Sequence, residues 1–275
     1  MTNISIGSTD QNTKAHEKSI LIAMAQIICI DNDRSGNLVR IENAIIEAKQ
    51  KNADLVLFPE SCLLGWINPE AHQRACPIPG KDSELICNLA KNYRIHICIG
   101  LDEKDGDKLY DSAVLIDDKG NILLKHRKIN VLPELMTPPY SVGDGVQAVQ
   151  TRFGTIGVMI CADSFRDNLL ESMNEKKPVL LLIPYGWAAP ESEWPAHGQE
   201  LLNVVKNAAI KVHCPVIGTN LIGQVSHGPW TGQIYGGQSV AFNPGTNQQV
   251  IGKDRDKDLI IISIDISKIV KKISG

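Results

Sequence analysis

Short aliphatic runs alternate with amphipathic stretches along this chain, and that alternation constrains its fold more than any other feature. Residues 19–30 form a run rich in Ile and Ala, expected as a buried strand. Residues 37–51 then place Leu38, Ile41, Ala44, Ile45 and Ala48 at helical spacing. A short apolar strand over 54–58, a helix over 82–93 and a strand over 95–101 follow. Residues 110–116 and 122–126 flank Asp117-Asp118-Lys119-Gly120, which predicts a hairpin. Residues 146–152 and 155–160 flank Phe153-Gly154 in the same way. Helices are expected over 166–176 and 199–212, and strands over 178–184, 215–221, 238–242 and 259–264, with Asn243-Pro244-Gly245 as a turn. Helices and hairpins interleaved with short strands predict mixed sheets covered by helices in an α/β fold. A coarse strand–helix–strand pattern recurs in each half. Residues 1–17 read as a polar N-terminal arm and 18–275 as a single domain.

A chain of 275 residues can bury a large core, and with aromatics at 5% that core must be aliphatic. Lys plus Arg is 28 against 31 Asp plus Glu, a net charge of -3 without a long basic run. Nucleic acid and anionic membranes are therefore poor partners. The seven cysteines are irregularly spaced and include no C-x-x-C pair, which argues against a zinc ribbon or a redox motif. Cys29 and Cys98 sit in apolar runs and read as small buried hydrophobes. Unpaired thiols fit a reducing compartment. No apolar signal core is seen in the first 17 residues, and the run Val179 to Ile183 is too short to span a bilayer. The expected location is cytoplasmic.

Three reactive side chains stand at the ends of predicted strands. Glu60 follows Leu55-Val56-Leu57-Phe58-Pro59, Lys128 follows residues 122–127, and Cys161 follows Ile156-Gly157-Val158-Met159-Ile160. Sites of α/β folds collect where strand ends and their loops converge. A thiolate is the nucleophile, a nearby ammonium favours it, and a carboxylate can take the thiol proton. Lys128 and a backbone N–H near Cys161 are placed to stabilise charge developing on an attacked amide or nitrile. Glu60 is then the group to protonate the departing amine and to activate water. Taken singly, Cys161 reads as a core cysteine, Lys128 as a solvated lysine and Glu60 as a loop carboxylate. The functional reading rests on all three together.

Phe58-Pro59-Glu60, His126-Arg127-Lys128 and Gly157-Val158-Met159-Ile160-Cys161-Ala162-Asp163 resemble, in order and separation, the three signatures of the nitrilase superfamily of carbon–nitrogen hydrolases. Asn207-Ala208-Ala209-Ile210 through Gly218-Thr219-Asn220, and Gly237-Gln238-Ser239 with Asn243-Pro244-Gly245, extend the resemblance to residues 19–264. The resemblance implies a four-layer αββα sandwich of two mixed β-sheets flanked by helices. It also implies a Glu60–Lys128–Cys161 triad, homo-oligomerisation through helix faces, and no metal or organic cofactor. A second glutamate often positions the family's lysine. Glu134 in Leu132-Pro133-Glu134-Leu135 matches it best, beside the alternative of a solvated loop carboxylate. Asp163 is expected to anchor the nucleophile turn.

Nitrile-cleaving members typically carry Trp-Glu after the nucleophile. Ala162-Asp163 stands here instead, which favours amide hydrolysis. Arg166 lies three residues past Asp163, where related carbamoylases hold a substrate carboxylate, although it also begins a predicted helix. Tyr185 and Trp187, at another strand end, are expected beside the substrate with Ala162. Trp66, Tyr140 and Trp230 in Gly/Pro-rich loops are candidate pocket walls, and His227 a candidate pocket residue. The expected reaction is hydrolysis of a small linear amide to a carboxylate and ammonia or an amine. N-carbamoyl compounds and nitriles are the alternative substrates. Other classes remain: a glutaminase-like module feeding ammonia to a partner, or a catalytically silent scaffold on the same fold.

Overall fold

The computed structural model describes residues 19–266. The expected polar arm, residues 1–17, lies outside them. The first half of the chain runs β1 (Ser19–Gln26), α1 (Arg34–Gln50), β2 (Leu55–Leu57), α2 (Lys81–Tyr93), β3 (His96–Asp105), β4 (Lys108–Ile116) and β5 (Ile122–Arg127). The second half runs β6 (Gln147–Thr151), β7 (Gly154–Val158), α3 (Asp167–Glu175), β8 (Leu180–Tyr185), β9 (Ala188–Ala189), α4 (Ala196–Val212), β10 (Val216–Asn220), β11 (Ile222–Gln224), β12 (Ile234–Gly236), β13 (Val240–Asn243), β14 (Gln248–Ile251) and β15 (Asp258–Asp265).

The strands build two six-stranded sheets, ordered β15-β1-β2-β3-β4-β5 and β14-β13-β10-β8-β7-β6. Each has three parallel central strands, one antiparallel edge strand on one side and an antiparallel pair on the other. The strand–helix–strand repeat read from the sequence is therefore a repeat of sheet architecture. β9, β11 and β12 form a small third sheet that the Gly- and Pro-rich sequence did not announce.

Side-chain alternation along β1 explains the layering. Ile20, Ile22 and Met24 join Leu55, Leu57 and Cys98 in a core shared with the second sheet and its helices. Ala23 and Ala25 belong instead to a second core with Ile41, Ile45 and Ile86 of α1 and α2. These are the four layers of an αββα sandwich.

Several boundaries differ from expectation, and three of them have a clear physical reason. β1 stops at Gln26, because its fully buried amide turns to Lys253 O and Asp256 O, leaving Ile28 and Ile30 exposed. Cys29 beyond it is only half-buried, unlike the fully buried Cys98. α1 begins before Asn37, because Asp33 caps it by accepting the Gly36 N–H at 3.0 Å. β3 continues past Leu101, because Asp102 and Glu103 are buried with polar partners, which hydrophobic periodicity cannot register.

Candidate active site

Glu60 leaves β2 through Pro59, and its backbone N–H reaches Tyr185 O at the end of β8, 3.4 Å away. Lys128 follows β5 and prolongs the hairpin, its N–H donating to Asp111 O on β4 at 2.8 Å. Cys161 opens a 3-10 turn, Cys161–Phe165, past β7. Its φ of 41° is a left-handed conformation unfavourable for a residue with a Cβ. Ser164 holds that turn by donating to Cys161 O at 2.7 Å, and its hydroxyl meets Tyr185 Oη at 2.9 Å.

The three side chains meet out of water, at 0%, 2% and 4% exposure for Glu60, Lys128 and Cys161. Lys128 Nζ donates to Glu60 Oε1 and, at 3.2 Å, to Asp111 Oδ2. It also stands 5.5 Å from the Trp66 ring centroid. Burial opposes the ammonium charge, but Glu60 and Asp111 outweigh it and hold the Lys128 pKa well above its ordinary value. Burial and the Glu60 charge push the Cys161 thiol up, while Lys128 and the Gly186 N–H pull the other way. Burial and Glu60 thus favour the neutral thiol beside the Lys128–Glu60 contact. Glu60 Oε2 has no hydrogen-bond partner. It is an open acceptor of the cluster, as is Asp111 Oδ1.

Gly186 permits this approach. A Cβ there would stand 2.9 Å from Glu60 Oε2 and 3.3 Å from the Trp66 indole. Alternation along β8 sends the side chain before it the opposite way. Tyr185 is fully buried, with its ring over Gly218, where a Cβ would come within 2.6 Å of Tyr185 Cε2. Tyr185 thus packs behind the nucleophile turn, its hydroxyl on Ser164.

Asp163 ties the Cys161 and Lys128 turns together. Its Oδ1 accepts the N–H groups of Ile129 (2.9 Å) and Asn130 (2.8 Å). Its Oδ2 accepts from His126 Nε2 (2.8 Å) and the Ile160 N–H (3.1 Å). Burial opposes this carboxylate, but His126 and the backbone donors prevail and set its pKa below the usual range. Asn130 Nδ2 adds a bond to Ala162 O at 2.7 Å, fixing the buried Ala162.

The remaining expected residues lie further out. Glu134 is exposed on the one-turn Pro133–Leu135 helix, lining a cavity of about 260 Å³ with Ile67, Pro69 and Gly228. The second carboxylate on Lys128 is Asp111, so the lysine's neighbour comes from the adjacent strand and not from the following loop. Arg166 is exposed just before α3. Trp187 is half-buried next to Gly186, its N–H on Asn220 Oδ1 and its ring stacked 4.7 Å from His197. Trp230 packs against Trp66 at 6.0 Å. Tyr140 donates to Asp102 Oδ1 at 2.7 Å behind the site, and His227 meets Asp31 Oδ2 at 2.8 Å. A cavity of about 430 Å³ lies elsewhere, between Gln26, Arg40, Lys51 and Lys257. It holds no member of the cluster, and the convergence of reactive groups outranks its size. Among the described residues no group of three or more His, Cys, Asp or Glu could hold a metal ion. No helix there is long and apolar enough to cross a membrane.

Asp111 and Gly186 do not stand out in the sequence. The register beside the hairpin turn, Ile116 opposite Ile122, would pair Asp111 with Arg127, and an irregularity between Leu115 and Ile116 shifts it by one so that Asp111 meets Lys128.

Two mixed sheets face to face, with a buried thiol, ammonium and carboxylate gathered at their strand ends, define the αββα class of hydrolase folds. The chain belongs to the carbon–nitrogen hydrolase family, whose model matches residues 21–272. Among curated relatives it is 32% identical over 165 residues to Nitrilase 3 of Arabidopsis thaliana, covering 52% of this chain and 47% of that protein. It is also 32% identical over 178 residues to an omega-amidase of Xenopus tropicalis, covering 61% and 63%. The matched stretches thus span about half to two thirds of those relatives. Among solved structures, a variant of the amidase from Nesterenkonia sp. superposes with a TM-score of 0.78 at 16% identity, covering 93% and 94%. That variant carries the acetamide moiety of fluoroacetamide covalently on its active-site cysteine.

Proposed function

We propose that this protein hydrolyses a non-peptide C–N bond of a small linear amide through a thioester on Cys161, with Glu60 as general base and acid and Lys128 as electrostatic partner. The observation that carries the reading is the Lys128–Glu60 ion pair buried against the Cys161 thiol. A neutral thiol needs a base at the moment of attack, and Glu60 Oε2 is an unpartnered acceptor beside it.

In the forward step Cys161 Sγ bonds to the amide carbon while the thiol proton passes to Glu60. The amide oxygen takes the negative charge, stabilised by Lys128 Nζ and a backbone N–H of the nucleophile turn. Glu60 returns the proton to the amide nitrogen, the C–N bond breaks, and ammonia or an amine departs. Water then attacks the thioester carbon and gives a proton to Glu60. The carboxylic acid leaves as the C–S bond breaks, and the sulfur regains the proton.

Asp163 spends both oxygens on four donors, which fits an anchor and not a reacting group. Ala162 after the nucleophile favours amides. Nitriles are the second substrate class to assay, because the related proteins include a nitrilase as well as an omega-amidase. The N-carbamoyl alternative gains no buried cation from the exposed Arg166.

The test is ammonia release across small amides, nitriles and N-carbamoyl compounds, with intact-mass detection of an acyl adduct. Wild type is expected to form the adduct on Cys161 and to turn over amides fastest. Cys161→Ala is expected to lose both. Full activity in Cys161→Ala refutes the mechanism, and no turnover or adduct across the panel favours the silent-scaffold reading.

A further inference from the structure

The turn that carries Glu60 is seated on β3. Gly100 of that strand has no side chain to keep the turn away: a Cβ there would stand 2.6 Å from Glu60 Cα and 2.7 Å from Ser61 N. The Gly100 N–H donates to Pro59 O at 3.0 Å, and the Cys62 N–H donates to Gly100 O at 3.2 Å. Backbone bonds thus fix the chain on either side of Glu60 and Ser61. Between those bonds Ser61 is left-handed, with a φ of 40°. A residue with a Cβ keeps that conformation only where its surroundings hold it.

Asp102 stands two residues beyond Gly100 on β3, and therefore on the same face of the sheet. Its Oδ1 accepts from the Ser61 hydroxyl at 3.3 Å and from the Tyr140 hydroxyl at 2.7 Å. Ser61 is fully buried and Asp102 is 3% exposed. Tyr140 belongs to the segment that follows Lys128. That segment is tied back twice, by the Ser141 N–H on Leu109 O at 2.7 Å and by the Gly143 N–H on Lys128 O at 2.9 Å. One buried oxygen therefore joins the residue beside Glu60 to the segment that returns to Lys128. Asp102 Oδ2 has no hydrogen-bond partner, so the side chain holds these two hydroxyls through Oδ1 alone. Burial pushes its carboxyl up to about 7 despite both bonds.

We propose that Asp102 is a positioning residue for Glu60: through the Ser61 hydroxyl it holds the left-handed turn that directs the Glu60 carboxylate to Lys128, while Tyr140 fixes Asp102. This rests on the reading of Glu60 as general base given above. The hold depends on an oxygen that accepts two bonds and not on a full charge. An asparagine accepts the same two bonds through its own Oδ1, whereas an alanine accepts neither.

The experiment compares wild type with Ser61→Ala, Asp102→Ala and Asp102→Asn, by steady-state kinetics on the amide that wild type turns over fastest and by a crystal structure of each. The two alanine variants are expected to lower kcat at least about tenfold with KM within about twofold, because a displaced base weakens the transition state and not substrate binding. In both, the Glu60 carboxylate should stand about 0.5 Å or more from its wild-type position. Asp102→Asn should keep kcat within about threefold, since both hydroxyls retain their acceptor. Glu60 unmoved in the alanine variants, or Asp102→Asn as impaired as Asp102→Ala, overturns the proposal. Ser61→Ala removes a single hydroxyl and keeps the test decisive should Asp102→Ala fail to fold. Glu60→Gln is assayed alongside. If it retains full activity, the base reading falls, and the place of Glu60 in the crystal structures still decides the hold. If it is inactive while the alanine variants keep wild-type kcat, the base stands and the positioning role fails.

Discussion

Replacing Asp163 with asparagine preserves volume and removes one charge, so it isolates the clamp between the Cys161 and Lys128 turns. Four donors converge on the carboxylate, two on each oxygen. An asparagine can keep its carbonyl oxygen on one pair, but its NH₂ group then faces two donors with nothing to accept them. Hydrogen bonds to a charged group contribute about 1.5–3 kcal/mol each, so losing two costs about 3–6 kcal/mol. For a chain of this size that lowers Tm by at least about 6 °C. Urea and thermal unfolding followed by circular dichroism read the loss directly. The pH dependence gives a second check. Asp163 binds its proton less tightly folded than unfolded, because its native pKa is depressed. Its stabilisation is therefore complete above the unfolded value near 4 and is withdrawn as the pH falls through the lower native one. The penalty of Asp163→Asn should be full at pH 7 and shrink in acid. A loss below about 1 kcal/mol at pH 7, or a penalty that grows in acid, refutes the clamp.

Gly186→Ala puts a methyl group 2.9 Å from Glu60 Oε2. Displacing the base by a fraction of an ångström is expected to lower kcat by about 10²-fold with little change in Tm, and steady-state kinetics with a melting curve test this. Ser164→Ala leaves the buried Tyr185 hydroxyl without its partner, a cost of about 1–3 kcal/mol. Repeating that substitution in a Tyr185→Phe background should cost less, because only the bond to Cys161 O is then lost, and an equal cost in both backgrounds would sink the account.

Much of this architecture is legible in the order of residues alone. The aliphatic runs mark the central strands, because a strand buried on both faces must be apolar along its length. The helical spacing of Ile41, Ala44, Ile45 and Ala48 marks the buried stripe of α1. The hairpin turn at Asp117–Gly120 marks the β4–β5 pair. What hydrophobic periodicity misses is polar or small. The end of β3 carries Asp102 and Glu103 as buried, partnered charges, and β9, β11 and β12 lie in segments interrupted by glycine and proline.

The sequence by itself determined the order of the central strands and long helices, the aliphatic core, and the three residues at strand ends on which the functional reading rests, but not the short strands β9, β11, β12 and β14. It could do so because periodicity and local motifs are properties of neighbours in the chain. Only the tertiary structure decided which groups share a site. Asp111 and not Glu134 stands against Lys128, Gly186 and not Tyr185 faces Glu60, and Asp163 joins two turns. Those choices depend on strand register and on which face of a sheet a side chain takes. A shift of one residue reverses that face while leaving the composition unchanged.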